Sequence, residues 1–92
     1  MRRFSLLTRP GCHLCENFEA EVLALFDGRL DIEAVLVDHH PAWQALYGLR
    51  IPVLLDAQGQ FVCAVTVDAA AIEAALAASQ AEPAPLYSAT IF

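Results

Sequence analysis

Arg9-Pro10-Gly11-Cys12-His13-Leu14-Cys15 places two cysteines at the start of a helical run. Two cysteines three residues apart are neighbours on a helix, roughly 5–6 Å apart at Cβ. A disulfide needs Cα atoms about 4.4–6.8 Å apart, so the pair can close with small adjustments. Pro10-Gly11 punctuates the chain just before, and a helically periodic apolar run follows, which puts Cys12 at a helix start. The first turn of a helix leaves backbone N–H groups unpaired, and the helix dipole favours negative charge there. Such sites lower a cysteine pKa from about 8.5 to as little as 3.5–7.5, and the thiolate is the reactive species. Residue type and spacing together imply thiol–disulfide chemistry.

The competing readings of the pair are weaker. A structural zinc site needs a second ligand pair such as CxxC or HxxxH, and the chain has none. Haem attachment needs histidine directly after the second cysteine, where Glu16 stands. A protonated His13 would stabilise a Cys12 thiolate, but near pH 7 the imidazole is only partly charged, and a solvated side chain is the alternative. Glu16, one turn below Cys12, acts in the opposite sense. Arg9 and Arg50 flank the functional loops; they are either a local positive rim, gripping a carboxylate or steadying the thiolate, or ordinary surface arginines. His39-His40 reads as a loop and helix N-cap region, with metal ligation beside Cys12 as the alternative.

Outward from this stretch, Arg3–Thr8 reads as a short strand closed by Pro10-Gly11. A helix follows from Cys12 to about Phe26, with Leu14, Phe18, Val22, Leu25 and Phe26 expected to face the core. Gly28 suits a left-handed residue past its end. Leu30–Val37, rich in Ile, Val and Leu, is expected to be a mostly buried strand. Pro41 opens a short second helix that ends before Gly48, with Trp43, Leu46 and Tyr47 on its apolar face. Trp43 and Tyr47 serve as core or as groove wall. Pro52–Leu55 and Gln60–Val67 flank the turn residues Asp56-Ala57-Gln58-Gly59 and form a hairpin. Cys63 shares a strand face with Phe61 and Val65 and reads as a buried thiol. Asp68 caps a last helix, Ala69–Ala78, in which Ile72 and Leu76 lie one turn apart. Glu82-Pro83-Ala84-Pro85 breaks the pattern, so residues 1–78 form one domain and 79–92 a tail whose end, Tyr87–Phe92, is apolar and β-prone. The order is β-α-β-α-β-β-α. The first β-α-β unit is a right-handed crossover between parallel strands, and the hairpin adds an antiparallel edge.

This order, with CxxC at the start of the first helix, resembles the thioredoxin fold, and more narrowly a small glutaredoxin-like dithiol–disulfide oxidoreductase. Arg50-Ile51-Pro52-Val53 resembles the loop in which that fold holds a cis-proline against the active-site disulfide. The run Ala45-Leu46-Tyr47-Gly48-Leu49-Arg50-Ile51-Pro52-Val53-Leu54 is similar to a short glutaredoxin-like subgroup in which Tyr-Gly precedes that proline. The likeness spans about Phe4 to Ala78. It implies an α/β fold with a central four-stranded mixed sheet flanked by three helices. It further implies Cys12 as the exposed nucleophile, Cys15 as the buried resolving thiol, and Pro52 as a residue that shapes a groove for extended substrate backbone. Arg9, His13, Arg50, Ile51, Pro52 and Asp68 are the implied substrate contacts, Asp68 through a glutathione amino group. Two departures stand out: His13-Leu14 replaces the usual proline and aromatic, and Val65-Thr66-Val67 replaces the usual Gly-Gly turn. The expected substrates are protein or small-molecule disulfides. Glutathione is expected at most as a co-substrate, with no tightly bound cofactor and no metal. The other activity class the resemblance offers is a module carrying a [2Fe–2S] cluster on Cys12 with glutathione.

Composition bounds the rest. Ninety-two residues make one domain. A net charge of −6, with all five basic residues arginine, argues against nucleic acid as a partner. No apolar run reaches the length of a membrane span, and Thr8-Arg9-Pro10 interrupts the first apolar stretch too early for a secretion signal. Three cysteines without a signal point to the reducing cytoplasm, where a monomer is expected.

Overall fold

Short apolar runs in Phe4–Leu7 and Val53–Leu55, and apolar residues every third or fourth position in Cys15–Phe26, lay out an α/β sandwich. The computed structural model describes residues 2–81. Along the chain come β1 (Arg2–Thr8), α1 (His13–Leu25), β2 (Leu30–Leu36), a single 3₁₀ turn (Val37–His39), α2 (Pro41–Tyr47), β3 (Val53–Leu55), β4 (Phe61–Ala64) and α3 (Ala69–Ala81). The four strands form one mixed sheet in the order β2-β1-β3-β4. β1 runs parallel to β2, with Phe4 opposite Ile32, and antiparallel to β3, with Leu6 opposite Leu54. β3 and β4 pair antiparallel. Order and pairing match the sequence expectation.

Side chains alternate across a strand, so the two sheet faces collect different residues. On one face Phe4, Leu6, Leu54 and Cys63 pack with Phe18, Val22 and Phe26 from around α1 and with Ile72 and Leu76 of α3. On the other face Leu7, Val53 and Leu55 pack with Val37, and half-buried Trp43, Tyr47 and Ile51 close over them from α2 and its following loop. α1 and α3 therefore share one face, and α2 covers the other. Asp68 caps α3 as expected, its Oδ1 accepting the Ala71 N–H at 3.0 Å.

Several expectations are corrected. β2 is an edge strand paired only to β1, so Glu33, Ala34 and Leu36 reach solvent and only Leu30 is buried. Its aliphatic run reads as a mostly buried strand, but among the described residues no further strand covers its outer side. The buried stripe of α1 is Cys15, Phe18 and Val22, continued by Phe26 at its C-cap. Leu14 and Leu25 fall on its flank and stay largely exposed, as does Leu46 of α2. β4 ends at Ala64, and Val65 turns away with φ +70°, a conformation that a β-branched residue seldom adopts. A bulge between the pairs Leu54–Cys63 and Leu55–Phe61 puts Phe61 on the face opposite Cys63, where its ring stacks on Tyr47 at 6.0 Å. The shared face expected for Phe61, Cys63 and Val65 is lost to that one extra residue. α3 continues through residues 79–81, three residues into the segment read as tail. The Glu82-Pro83-Ala84-Pro85 break and the apolar end Tyr87–Phe92 lie outside the described residues.

Leu54 is fully buried at the centre of the larger cluster. Leu54→Ala should destabilise the protein by about 2–5 kcal/mol, seen as a lower urea midpoint with an unchanged m-value.

A candidate dithiol site at the start of the first helix

Cys12 is the N-cap of α1, in extended backbone with φ −86° and ψ 98°. Its Sγ accepts the Cys15 N–H at 3.1 Å, so the sulfur itself satisfies one of the unpaired donors of the helix start. The Cys12 carbonyl accepts the Glu16 N–H at 3.1 Å, and the Cys12 N–H donates to the Arg9 carbonyl at 3.3 Å. Gly11, at φ +76°, makes the reversal that brings the strand end into the helix, a conformation only glycine adopts without strain. Cys12 and Cys15 form a disulfide with their Cα atoms 5.2 Å apart. The two sulfurs are not equivalent: Cys12 is half-buried at the helix tip, whereas Cys15 is 2% exposed and part of the buried stripe.

The loop after α2 reaches the same end of the sheet, because Leu7 of β1 pairs with Val53 of β3 and each strand meets its loop two residues away or fewer. The Ile51–Pro52 peptide bond is cis, and Pro52 is buried. The Pro52 carbonyl accepts the Val65 N–H at 2.7 Å, tying this loop to the link between β4 and α3. Arg50 is exposed, with its guanidinium 5.6 Å above the Phe61 ring.

Arg9 joins three segments around the site. Its Nε and Nη2 donate to Asp38 at 2.9 and 3.1 Å, a bidentate pair, and its Nη1 donates to the Gly48 carbonyl at 2.7 Å. A Cβ on Gly48 would lie 2.5 Å from the Gln44 carbonyl oxygen and 3.2 Å from Arg9 Nη2, so only glycine leaves room here. The hydrogen bond from Arg9 holds the Asp38 carboxyl below the usual carboxylate range. The Arg9 fork is thus occupied by Asp38 and Gly48.

The other sequence candidates spread out. His13 is almost wholly exposed, with Nδ1 3.5 Å from a Glu16 carboxylate oxygen. Asp68 uses a carboxylate oxygen to cap α3. His39 ends the 3₁₀ turn, and His40 precedes Pro41, its ring 5.1 Å from Trp43. Cys63 is buried, and that burial pushes its thiol pKa up, the state of an inert thiol. Among the described residues no three His, Cys, Asp or Glu side chains cluster to hold a metal ion. No helix among them is long and apolar enough to cross a membrane.

One feature escaped sequence reasoning altogether. An open groove of about 350 Å³ runs between α1, which lines it with Leu14, Asn17, Phe18 and Glu21, and the Val65-Thr66-Val67 link, which supplies the other wall. The three loop residues read as strand, and Asn17 and Glu21 carry no motif; only the tertiary fold sets them face to face.

A mixed four-stranded sheet with three helices, and a cysteine pair at disulfide distance at the tip of the first, defines a small domain of thioredoxin-like fold. The chain belongs to the glutaredoxin-like domain family (DUF836), whose model matches residues 3–77. It is similar in structure to protein Ne2328 of Nitrosomonas europaea, with TM-score 0.72 and 29% identity over 79% of this chain and 88% of that one. It is also similar to protein XcR50 of X. campestris, with TM-score 0.59 and 35% identity over 82% of this chain and 96% of that one. Among curated proteins none matches.

The Arg9–Asp38 pair generates a pH prediction. Because the folded-state pKa of Asp38 lies below its unfolded value of about 3.9, its stabilisation is present above that value and lost as pH falls through the folded pKa. Asp38→Asn should lower Tm at pH 7 by a small amount, and the difference from wild type should close as thermal melts are repeated toward pH 3.

Proposed function

We propose that the protein is a thiol–disulfide oxidoreductase that reduces protein or glutathione mixed disulfides. The observation that carries this reading is the asymmetry of the pair: Cys12 Sγ sits at the helix tip accepting a backbone N–H, while Cys15 is buried one turn below. In the reduced protein that N–H and the helix start stabilise a Cys12 thiolate. The thiolate attacks one sulfur of the substrate disulfide; that bond breaks, and the departing sulfur leaves as a thiolate that takes up a proton. Cys12 and the remaining substrate sulfur are then joined as a mixed disulfide. Cys15, as thiolate, attacks Cys12 Sγ and releases the second substrate thiol. Two electrons have passed to the substrate, and the protein is left with the Cys12–Cys15 disulfide. An external thiol, glutathione or a protein dithiol, restores the reduced pair.

Pro52 brings no N–H to the site, so the backbone around Ile51 and Pro52 is the surface on which an extended substrate segment rests, with Arg50 at its rim. His13, adjacent to Cys12 and solvated, adds charge to the site when protonated. The protein works as a monomer in the cytoplasm, where a reducing thiol pool regenerates the dithiol.

Cys12→Ser should reduce turnover of a glutathionylated peptide to background in a coupled reductase assay. Cys15→Ser should accumulate the mixed disulfide on Cys12, seen as an intact mass increase. Wild-type turnover in Cys12→Ser would refute the reading. Iron-dependent visible absorbance, lost in Cys12→Ser and accompanied by no disulfide turnover, would favour cluster carriage instead. Alkylation of reduced Cys12 by iodoacetamide should show its inflection below the pH of about 8.5 at which an ordinary thiol ionises.

A further inference from the structure

From the groove between α1 and the Val65-Thr66-Val67 link we infer that the preferred substrates are protein segments with a bulky apolar residue next to the reacting cysteine and a cationic residue two positions beyond it. This rests on the oxidoreductase reading and names its substrate class.

The groove opens from Leu14, the residue between the two cysteines. Leu14 is 60% exposed, and Val65 across from it is 47% exposed. Over the buried Phe18 and with the partly buried Val67 they offer apolar surface open to solvent, which a leucine-sized side chain covers favourably. The loop side is held in place, since the Val65 N–H donates to the Pro52 carbonyl at 2.7 Å and the Thr66 N–H to the Ala64 carbonyl at 2.7 Å. The groove is therefore largely formed before a ligand arrives.

Its far end is acidic. Glu21, two helical turns from Leu14, is the one charged residue lining the groove among the described residues, and Asn17 and Thr66 supply the other polar groups. Leu14 and Glu21 are roughly 10 Å apart along the helix axis, seven residues at 1.5 Å each. In an extended peptide, residues one and three positions from the cysteine point to the same side. Two residues of extended chain add about 7 Å, and a lysine stem spans the remainder to Glu21. No lining residue is a cation that would neutralise a carboxylate at this end, and the Arg9 guanidinium is held by Asp38 and Gly48. A ligand with carboxylates at this end, glutathione included, meets like charge there.

The test is an NMR titration of the oxidised full chain with a hexapeptide lacking sulfur: serine in place of the reacting cysteine, leucine one position after it and lysine three positions after it. The Asn17, Glu21 and Thr66 amides should shift saturably. Replacing the peptide lysine by glutamate should weaken binding about threefold, within the range of an exposed ion pair, and Glu21→Lys should reverse that order. Replacing the leucine by serine should weaken it about tenfold. Equal affinity of the lysine and glutamate peptides, equal shifts with S-methylglutathione, or shifts confined to other surfaces would overturn the inference. So would groove amides that move on dilution, which assigns the groove to a second copy, or on Leu86→Asp, which assigns it to the chain's own tail. Because the probe cannot exchange disulfides, a protein that binds it with this preference yet fails the Cys12 turnover assay loses the oxidoreductase reading alone.

Discussion

β1 is hydrogen-bonded along both edges, parallel to β2 and antiparallel to β3, and the geometry of the active end is measured from its last residues. Its even positions, Phe4 and Leu6, anchor α1 and α3 on one face, while Leu7 anchors α2 on the other. A strand pinned on both edges and both faces cannot slide without turning its apolar residues to the wrong side. The four residues from Arg9 to Cys12 therefore leave from a fixed point, and the helix they enter is seated by Phe18 and Val22. Helix geometry does the rest: one sulfur caps the helix, and the other is carried one turn down into the buried stripe.

The loops around the dithiol are joined by a few polar bonds rather than by further core. Arg9 links the end of β1 to Asp38 after β2 and to Gly48 at the end of α2. The bond from Val65 to Pro52 links the β4–α3 connection to the loop before β3. Each tie crosses a gap between elements packed on different faces of the sheet, so the site is a product of both cores. The Arg9–Asp38 pair is partly exposed, and exposed pairs contribute little to global stability; its effect is to join three chain segments at one end of the sheet.

The cysteine pair and much of the fold were legible in the chain, each for a local reason. Pro10-Gly11 before CxxC, Pro41 and Asp68 before helical runs, and the Asp56–Gly59 turn are signals read by the few residues around them. Where reading failed, the deciding contact was distant in sequence. Leu14 and Leu25 have helical spacing from Phe18 and Val22, but which side of an apolar arc is buried depends on the sheet beneath it. The bulge that separates Phe61 from Cys63 exists because β4 must pair with Leu54 and Leu55, and nothing in Phe61-Val62-Cys63 announces it. Arg9 is a short step from Cys12 in sequence, yet its partners are 29 and 39 positions away.

Local signals in the chain sufficed for the paired cysteines, the positions of the helices and the alternation of β1, because propensity, capping and side-chain period act over a few residues. Tertiary structure alone decided which strand became an edge, where the Arg9 fork went, and that Glu21 and Val65 would share a groove. Those outcomes depend on which surfaces meet when two separate cores close on one sheet, and no local pattern encodes that meeting.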